Sequence, residues 1–322
     1  MSKIFVTRRI PEMGLEMLRR AGHEVVVSEK NAALTREELL TALKVVPYDA
    51  VLCLLADKID EEVFVAAPSA KIFANYAVGF DNIDVAAAKA RGVWVTNTPG
   101  TSTNAVAEFT LTLLLAVAKR VVEADQFIRD GKYSGWVPML FMGSELTGKT
   151  LGIVGLGRIG GRVAEIAQKG FGMKVIYSDI VRNEKAEEEL GLHFHPMLET
   201  LLRESDFISL NVPLTDSTRH LINCERLAEL KPTAILINTS RGPVIDEVAL
   251  VETFKNKKIA GAGLDVYEFE PKLSEGLTFL PNVVLTPHIA SATDFAREGM
   301  SRLAAENILA ALAGKTPGNV LA

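Results

Sequence analysis

The chain is predicted to be an α/β protein with two doubly wound parallel-sheet domains. Three observations carry this. Apolar runs of strand length alternate with amphipathic helical stretches along most of the chain. The alternation halts near Pro99-Gly100 and resumes at Lys149. A glycine-rich turn then joins the strand Leu151–Leu156 to a helix. Strands alternating with helices favour a parallel sheet covered on both faces, and 322 residues suffice for about two domains.

The first half divides cleanly. Residues 3–9 read as a buried strand, and Pro11 and Gly22 bracket a helix. Residues 23–28 form a second strand. Thr35-Arg-Glu-Glu38 is a capping box opening a helix that runs to about Leu43. Strands at 50–55, 71–77 and 93–97 alternate with helices at 59–67 and 84–91. From Ser102 to about Arg129 the pattern predicts one long helix, apolar nearly all round between Ala105 and Ala118. Such a helix is buried on several sides, which suggests contact with both domains or with a second subunit; a homodimer is favoured over a purely intramolecular core helix. The loop 131–145 is dense in large apolar groups, including Trp136, Met139 and Phe141, and should therefore lie on a partner subunit or a pocket.

The second half carries the most specific motif. Gly155-Leu-Gly157-Arg158-Ile159-Gly160 follows a strand and opens a helix whose Val163, Ile166, Ala167 and Phe171 recur on one face. Gly155 permits the turn, Gly157 lets a pyrophosphate approach the backbone, and Gly160 lets helix and strand touch. The helix N-terminus favours phosphate. Asp179 ends the next strand, where a carboxylate accepts the hydroxyls of an adenosine ribose. A dinucleotide site follows, and NADH is expected over NADPH because Asp179 repels a 2′-phosphate and Ile180 brings no positive charge. Further strands are expected at 174–178, 206–212, 233–239, 260–265 and 282–286, with a last helix over 293–313.

Open parallel sheets bind ligands beyond the carboxyl ends of their strands. Gly157, Asp179, Pro213, Arg241, Asp265 and His288 each fall at such an end and should ring one crevice. Small neighbours leave Arg241 room to fork onto a carboxylate. His288 is pinned by Pro287, and Glu270 either pairs with it or serves as a loop acid. Glu268 reads as an ordinary loop acid. His193 and His195 alternate as on a strand without a third ligand, so no metal site is expected. His23 and His220 join no constellation the sequence reveals.

Composition narrows the partners. A net charge of −5, with no cluster of Lys or Arg, argues against nucleic acid and anionic membrane. Two distant cysteines and the absence of a signal peptide fit the cytoplasm, and the run Leu111–Ala118 is too short to span a bilayer.

These residues carry a resemblance along essentially the whole chain. Gly155–Gly160, Asn238–Asp246, Gly263-Leu-Asp-Val266 and Pro287-His-Ile-Ala-Ser-Ala292 resemble the D-isomer-specific 2-hydroxyacid dehydrogenases. Gly135-Trp136-x-Pro138, Ser291-Ala-Thr293 and Arg297-Glu-Gly-Met300 are most similar to the glyoxylate/hydroxypyruvate reductases within that family. Ala290 stands where glycine is common, and Asp294 replaces a larger apolar or histidine-type residue.

The resemblance implies a flavodoxin-like substrate domain, 1–100 with 287–322, and a Rossmann NAD-binding domain, 101–286. It implies that Arg241 binds the substrate carboxylate with the backbone near Val78 and Gly79. His288 is then the acid–base group and Glu270 its partner. Asp265 faces the nicotinamide, and Thr103, Arg158, Ile159, Pro213, Thr239, Ser240 and Ala290 line the cofactor. Leu54 and Trp136 bound a small pocket, which predicts a small 2-oxo acid such as glyoxylate or hydroxypyruvate. The alternatives are a dehydrogenase for another acid, such as a 3-phosphoglycerate type, and an NAD-sensing, corepressor-like binding protein.

Overall fold

The structure, a computed structural model, describes residues 1–322 and divides into two compact units, Met1–Ser102 with Ala292–Ala322, and Thr103–Ser291. No helix is long and apolar enough to cross a membrane.

The first unit begins with β1 (Lys3–Val6), α1 (Glu12–Arg20), β2 (Glu24–Val27), α2 (Arg36–Val45) and β3 (Ala50–Cys53). It continues with α3 (Glu61–Ala66), β4 (Ile72–Asn75), α4 (Val85–Ala90) and β5 (Trp94–Thr96). Its five strands run parallel in the order β2-β1-β3-β4-β5, the flavodoxin-like order. The Thr35–Glu38 capping box forms as read: Thr35 accepts from the Glu38 N–H at 3.2 Å, and Glu38 accepts from the Thr35 N–H at 2.7 Å. The C-terminal residues add an antiparallel stretch beside β5, with hydrogen bonds in both directions between Val95 and Leu321–Ala322.

The second unit opens with α5 (Thr103–Ala118) and α6 (Val121–Arg129), followed by β6 (Thr150–Val154), α7 (Arg158–Phe171) and β7 (Lys174–Ser178). Next come α8 (Glu184–Leu190), β8 (His193–Phe194), α9 (Leu198–Glu204), β9 (Phe207–Leu210), α10 (Cys224–Ala228) and β10 (Ile235–Asn238). The unit closes with α11 (Glu247–Lys255), β11 (Gly261–Leu264) and β12 (Val283–Leu285). The chain then enters α12 (Asp294–Leu312), which belongs to the first unit. All seven strands of the second sheet are parallel, ordered β12-β11-β10-β9-β6-β7-β8, which places β6 and its glycine turn at the reversal of strand order.

One expectation is corrected. The long helix is two helices, because Arg120 takes a left-handed backbone (φ 56°). Its guanidinium, forked onto Glu123 and set over the Phe141 ring, holds that turn. Much of the apolar surface of α5 is used within its own unit. Leu111, Leu113 and Leu114 are buried in a core shared with α7 and the sheet, and a Cβ at Gly263 would crowd Leu113. The first unit resumes at Ala292, and the backbone just past Pro287 is tied to Asp265 at the end of β11.

Candidate active site

Parallel strands deliver all their carboxyl ends to one edge of the second sheet, so the site is assembled from turns that follow β6, β7, β9, β10, β11 and β12. At the first, the three glycines have three different surroundings. Gly155 is left-handed (φ 90°), and a side chain there would press on the Asn211 carbonyl and Val212. A Cβ at Gly157 would meet nothing within 4 Å, whereas one at Gly160 would overlap the Gly155 carbonyl. The open position is at the N-terminus of α7, followed by Arg158 and Ile159, where backbone N–H groups and the helix dipole favour phosphate.

Asp179, at the end of β7, accepts the Leu156 N–H on Oδ2 at 2.7 Å and the Val181 N–H on Oδ1 at 3.3 Å. Each oxygen keeps a lone pair for a ribose hydroxyl. Ile180 beside it is fully exposed. Arg182 is forked onto Glu187 at 2.9 and 2.8 Å. That fork, helped by the Tyr177 hydroxyl at 2.6 Å, holds Glu187 down at about 2. The residues present thus fit a dinucleotide: an open phosphate turn, a helix N-terminus and a carboxylate with spare acceptors.

After β9, the Pro213 carbonyl accepts from Thr218 at 2.7 Å. After β10, the Asn238 side chain ties the turn internally. It accepts from Ser240 N–H (3.0 Å) and Oγ (2.8 Å) and donates to the Arg241 carbonyl (2.9 Å). Thr239 hydrogen-bonds Thr110 of α5 at 2.8 Å. The Arg241 side chain donates to the Ser240 carbonyl at 2.8 Å. Gly242 lets this turn lie directly on the backbone of Tyr267 and Glu268, where any Cβ would overlap.

His288 sits in the left-handed region (φ 54°), a conformation that histidine adopts at some cost. Asp265, wholly buried, holds it there. Its Oδ1 accepts from the Ile289 N–H (2.9 Å) and the Thr286 hydroxyl (2.7 Å), and its Oδ2 accepts from the Ala290 N–H (2.8 Å). Asp265, which the resemblance assigns to the nicotinamide side, therefore has both oxygens engaged by the loop carrying His288. The ring Nδ1 meets Glu270 Oε2 at 3.0 Å, and Glu270 Oε1 accepts the Tyr267 N–H, also at 3.0 Å. Burial is the largest single influence on Glu270 and pushes its pKa up. The His288 hydrogen bond and charge, the Tyr267 N–H and the charge of Arg241 together outweigh it and hold the carboxyl below its usual 4.5.

The sequence missed the clasp beneath this pair. Glu247, buried at the start of α11, accepts the Glu268 N–H at 2.7 Å and the Ser274 hydroxyl at 2.7 Å. Glu268 returns an oxygen to the Glu247 N–H at 3.2 Å and meets His220 at 2.6 Å. Glu268 and His220 are thus structural partners, joined across 48 residues with no local signal to reveal them.

The remaining expected residues are placed as follows. Leu54, Val78 and Gly79 belong to the first unit, at the carboxyl edge of its sheet. Leu54 N–H is bound by Asp57 at 2.7 Å. The Val78 and Gly79 carbonyls accept from Asn97 and Asn75 at 2.7 and 2.9 Å. Trp136 lies on the loop after α6 and is 82% exposed. Thr103 begins α5, and Ala290 is buried.

Comparison with known proteins agrees with this geometry. Residues 111–290 match the family described as D-isomer specific 2-hydroxyacid dehydrogenase, NAD binding domain. The chain is 51% identical to the glyoxylate reductase of Thermococcus litoralis over 323 residues, covering 99% of this chain and 96% of that one. It is likewise 51% identical to the glyoxylate reductase of Pyrococcus furiosus, covering 98% and 94%. Among solved structures, the TT0316 protein of Thermus thermophilus superposes with a TM-score of 0.93 at 44% identity, covering 99% and 100%. An NADPH-dependent glyoxylate/hydroxypyruvate reductase of Sinorhizobium meliloti, with NADP and malonate, gives 0.85 at 35%, covering 100% and 97%. With a flavodoxin-like unit, a Rossmann unit and this match over nearly its full length, the chain belongs to the D-isomer-specific 2-hydroxyacid dehydrogenases and is an oxidoreductase that takes a nicotinamide dinucleotide.

Proposed function

We propose that the protein reduces a small 2-oxo acid, glyoxylate or hydroxypyruvate first, with NADH. The observation that carries this reading is the His288–Glu270 pair, 3.0 Å apart, on the edge shared by Arg241 and the open glycine turn. The bound cofactor supplies hydride to the 2-oxo carbon. Arg241 grips the substrate carboxylate and polarises the neighbouring carbonyl, which combines orientation with charge stabilisation. With Nδ1 engaged by Glu270, His288 has Nε2 left to protonate the oxygen that becomes a hydroxyl. Asp265 fixes the strained His288 backbone so that the ring keeps this aim.

The preference for NADH rests on Asp179 and on the capture of Arg182 by Glu187, which keeps the nearby guanidinium from a 2′-phosphate. One experiment tests reaction and cofactor together: kcat/KM for a panel of 2-oxo acids with each cofactor. Glyoxylate or hydroxypyruvate with NADH should lead. Glu187→Ala should release Arg182 and raise kcat/KM for NADPH roughly twofold to fivefold. Faster turnover of phenylpyruvate or a branched acid would remove the small-pocket reading, and a wild-type preference for NADPH would remove the cofactor reading.

The working form is a homodimer. Val121, Val122 and Ile128 of α6 and Tyr133, Trp136, Val137, Met139 and Met142 beyond it are all at least half exposed, the kind of apolar group that marks an interaction surface when clustered. A second copy of the same patch is the self-complementary partner that two-fold symmetry supplies. Light scattering should give twice the mass of one chain, and Met139→Asp should halve it. A wild-type monomer at micromolar concentration contradicts the proposal.

A further inference from the structure

Arg241 and Glu270 stand on separate loops of the second unit, and two acids tie both loops to the start of α11. That helix is a rigid anchor: Asp246 caps it by accepting the Ala249 N–H at 2.9 Å, and Leu250, Val251 and Phe254 are buried in the core. The Glu268 carboxylate sits on its N-terminus as a bound anion would. One oxygen accepts the Glu247 N–H at 3.2 Å, and the other meets His220 Nε2 at 2.6 Å. In return Glu247, 1% exposed, accepts the Glu268 N–H and the Ser274 hydroxyl, both at 2.7 Å. All four carboxylate oxygens are engaged.

A third loop straps the same segment from its other side. The His220 N–H donates to the Pro243 carbonyl at 2.8 Å, and Ile222 exchanges bonds with Val244 and Asp246 at 3.0 Å. His220 is left-handed (φ 49°), a conformation these contacts hold. The arrangement has a cost. Burial, with the charge of Glu268 adding to it, pushes the Glu247 carboxyl above its usual 4.5, and its hydrogen bonds offset only part of this. Apolar packing would join the loops without that cost; directional bonds fix where each one stands.

We propose that Glu247 is a positioning residue for 2-oxo acid reduction: acting through Glu268, it sets the spacing between the Arg241 turn and the Glu270 loop. The proposal rests on the reductase reading and adds to it a residue remote from the reacting atoms.

The test measures kcat and KM for glyoxylate, NADH affinity by fluorescence titration, and thermal midpoints in wild type, Glu247→Ala and Glu247→Gln. Alanine should lower kcat/KM roughly tenfold to a hundredfold. NADH affinity should hold, because the glycine turn and Asp179 follow other strands. Glutamine can accept the Glu268 N–H and donate to the Ser274 hydroxyl, so it should stay within about threefold of wild type. In a Glu270→Ala background, Glu247→Ala should cost clearly less than it does alone, since there is no Glu270 left to place. An acid that only stabilises the fold gives another pattern: a lower midpoint, unchanged kcat and KM below it, and additive effects. That pattern, or a glutamine variant as impaired as the alanine one, overturns the proposal. Should Glu247→Ala fail to fold, Glu268→Ala decides: kcat/KM must fall, and by less in the Glu270→Ala background, while a wild-type value or additive losses count against the clasp. A wild type that reduces no 2-oxo acid overturns the reductase reading itself, and this proposal with it.

Discussion

Replacing His288 with alanine is expected to lower kcat for 2-oxo acid reduction by roughly 10²- to 10⁴-fold, the usual contribution of a positioned acid, while NADH affinity survives. The glycine turn, α7 and Asp179 that would bind the cofactor do not depend on the imidazole. Glu270→Gln tests the pairing from the other side, since the His288 hydrogen bond and charge help hold the Glu270 carboxyl below its usual 4.5. Stability follows the depressed-carboxylate rule. The advantage of wild type over Glu270→Gln is complete above about 4.5 and vanishes as pH falls through the lower folded value. Steady-state kinetics across pH, with thermal melts of the same samples, check both. A folded His288→Ala enzyme of near wild-type kcat would reassign the acid.

The second large effect is expected at a residue with no reactive group. Gly242→Ala must separate the turn bearing Arg241 from the Tyr267–Glu268 backbone, because its new methyl would coincide with that chain. Both neighbours are held by hydrogen bonds of their own, the Asn238 knot on one side and the Glu247–Glu268 clasp on the other. The strain should cost about 1–3 kcal/mol of stability. A displacement near 1 Å between carboxylate grip and acid should lower kcat/KM on the order of 10²-fold. Unfolding curves and kinetics of the variant measure the two. A wild-type kcat/KM in a destabilised protein would mean that the two loops are not required to keep their spacing.

Much of the architecture was legible because period and punctuation agree. Strand cores such as Ile72–Asn75 and Ile235–Asn238 are buried on both faces and read as unbroken apolar runs. The edge positions of Asp179, Arg241, Asp265 and His288 followed from the same fact, since parallel strands all end on one side. What escaped was set by tertiary contact. Nothing local marks Arg120 for a left-handed turn; Phe141 and Glu123 make it so. β8 is two residues long and exists because β7 pairs with it. His220 and Glu268 looked unremarkable because their partnership is long-range.

The return of the chain to its first unit has a consequence for biosynthesis. α12 supplies Met300, Ala304, Ala305 and Ile308 to the core behind β1 and β3, and Ser301 accepts the Gly14 N–H of α1 at 3.0 Å. The last residues then cover β5. A ribosome releases these pieces only after the whole dinucleotide-binding unit has emerged. That unit is uninterrupted from Thr103 to Ser291 and can complete its fold during translation, while the amino-terminal sheet waits with an apolar face uncovered. Chains stalled near residue 291 should therefore resist protease over the Rossmann portion yet be cut, and captured by chaperones, within their first hundred or so residues.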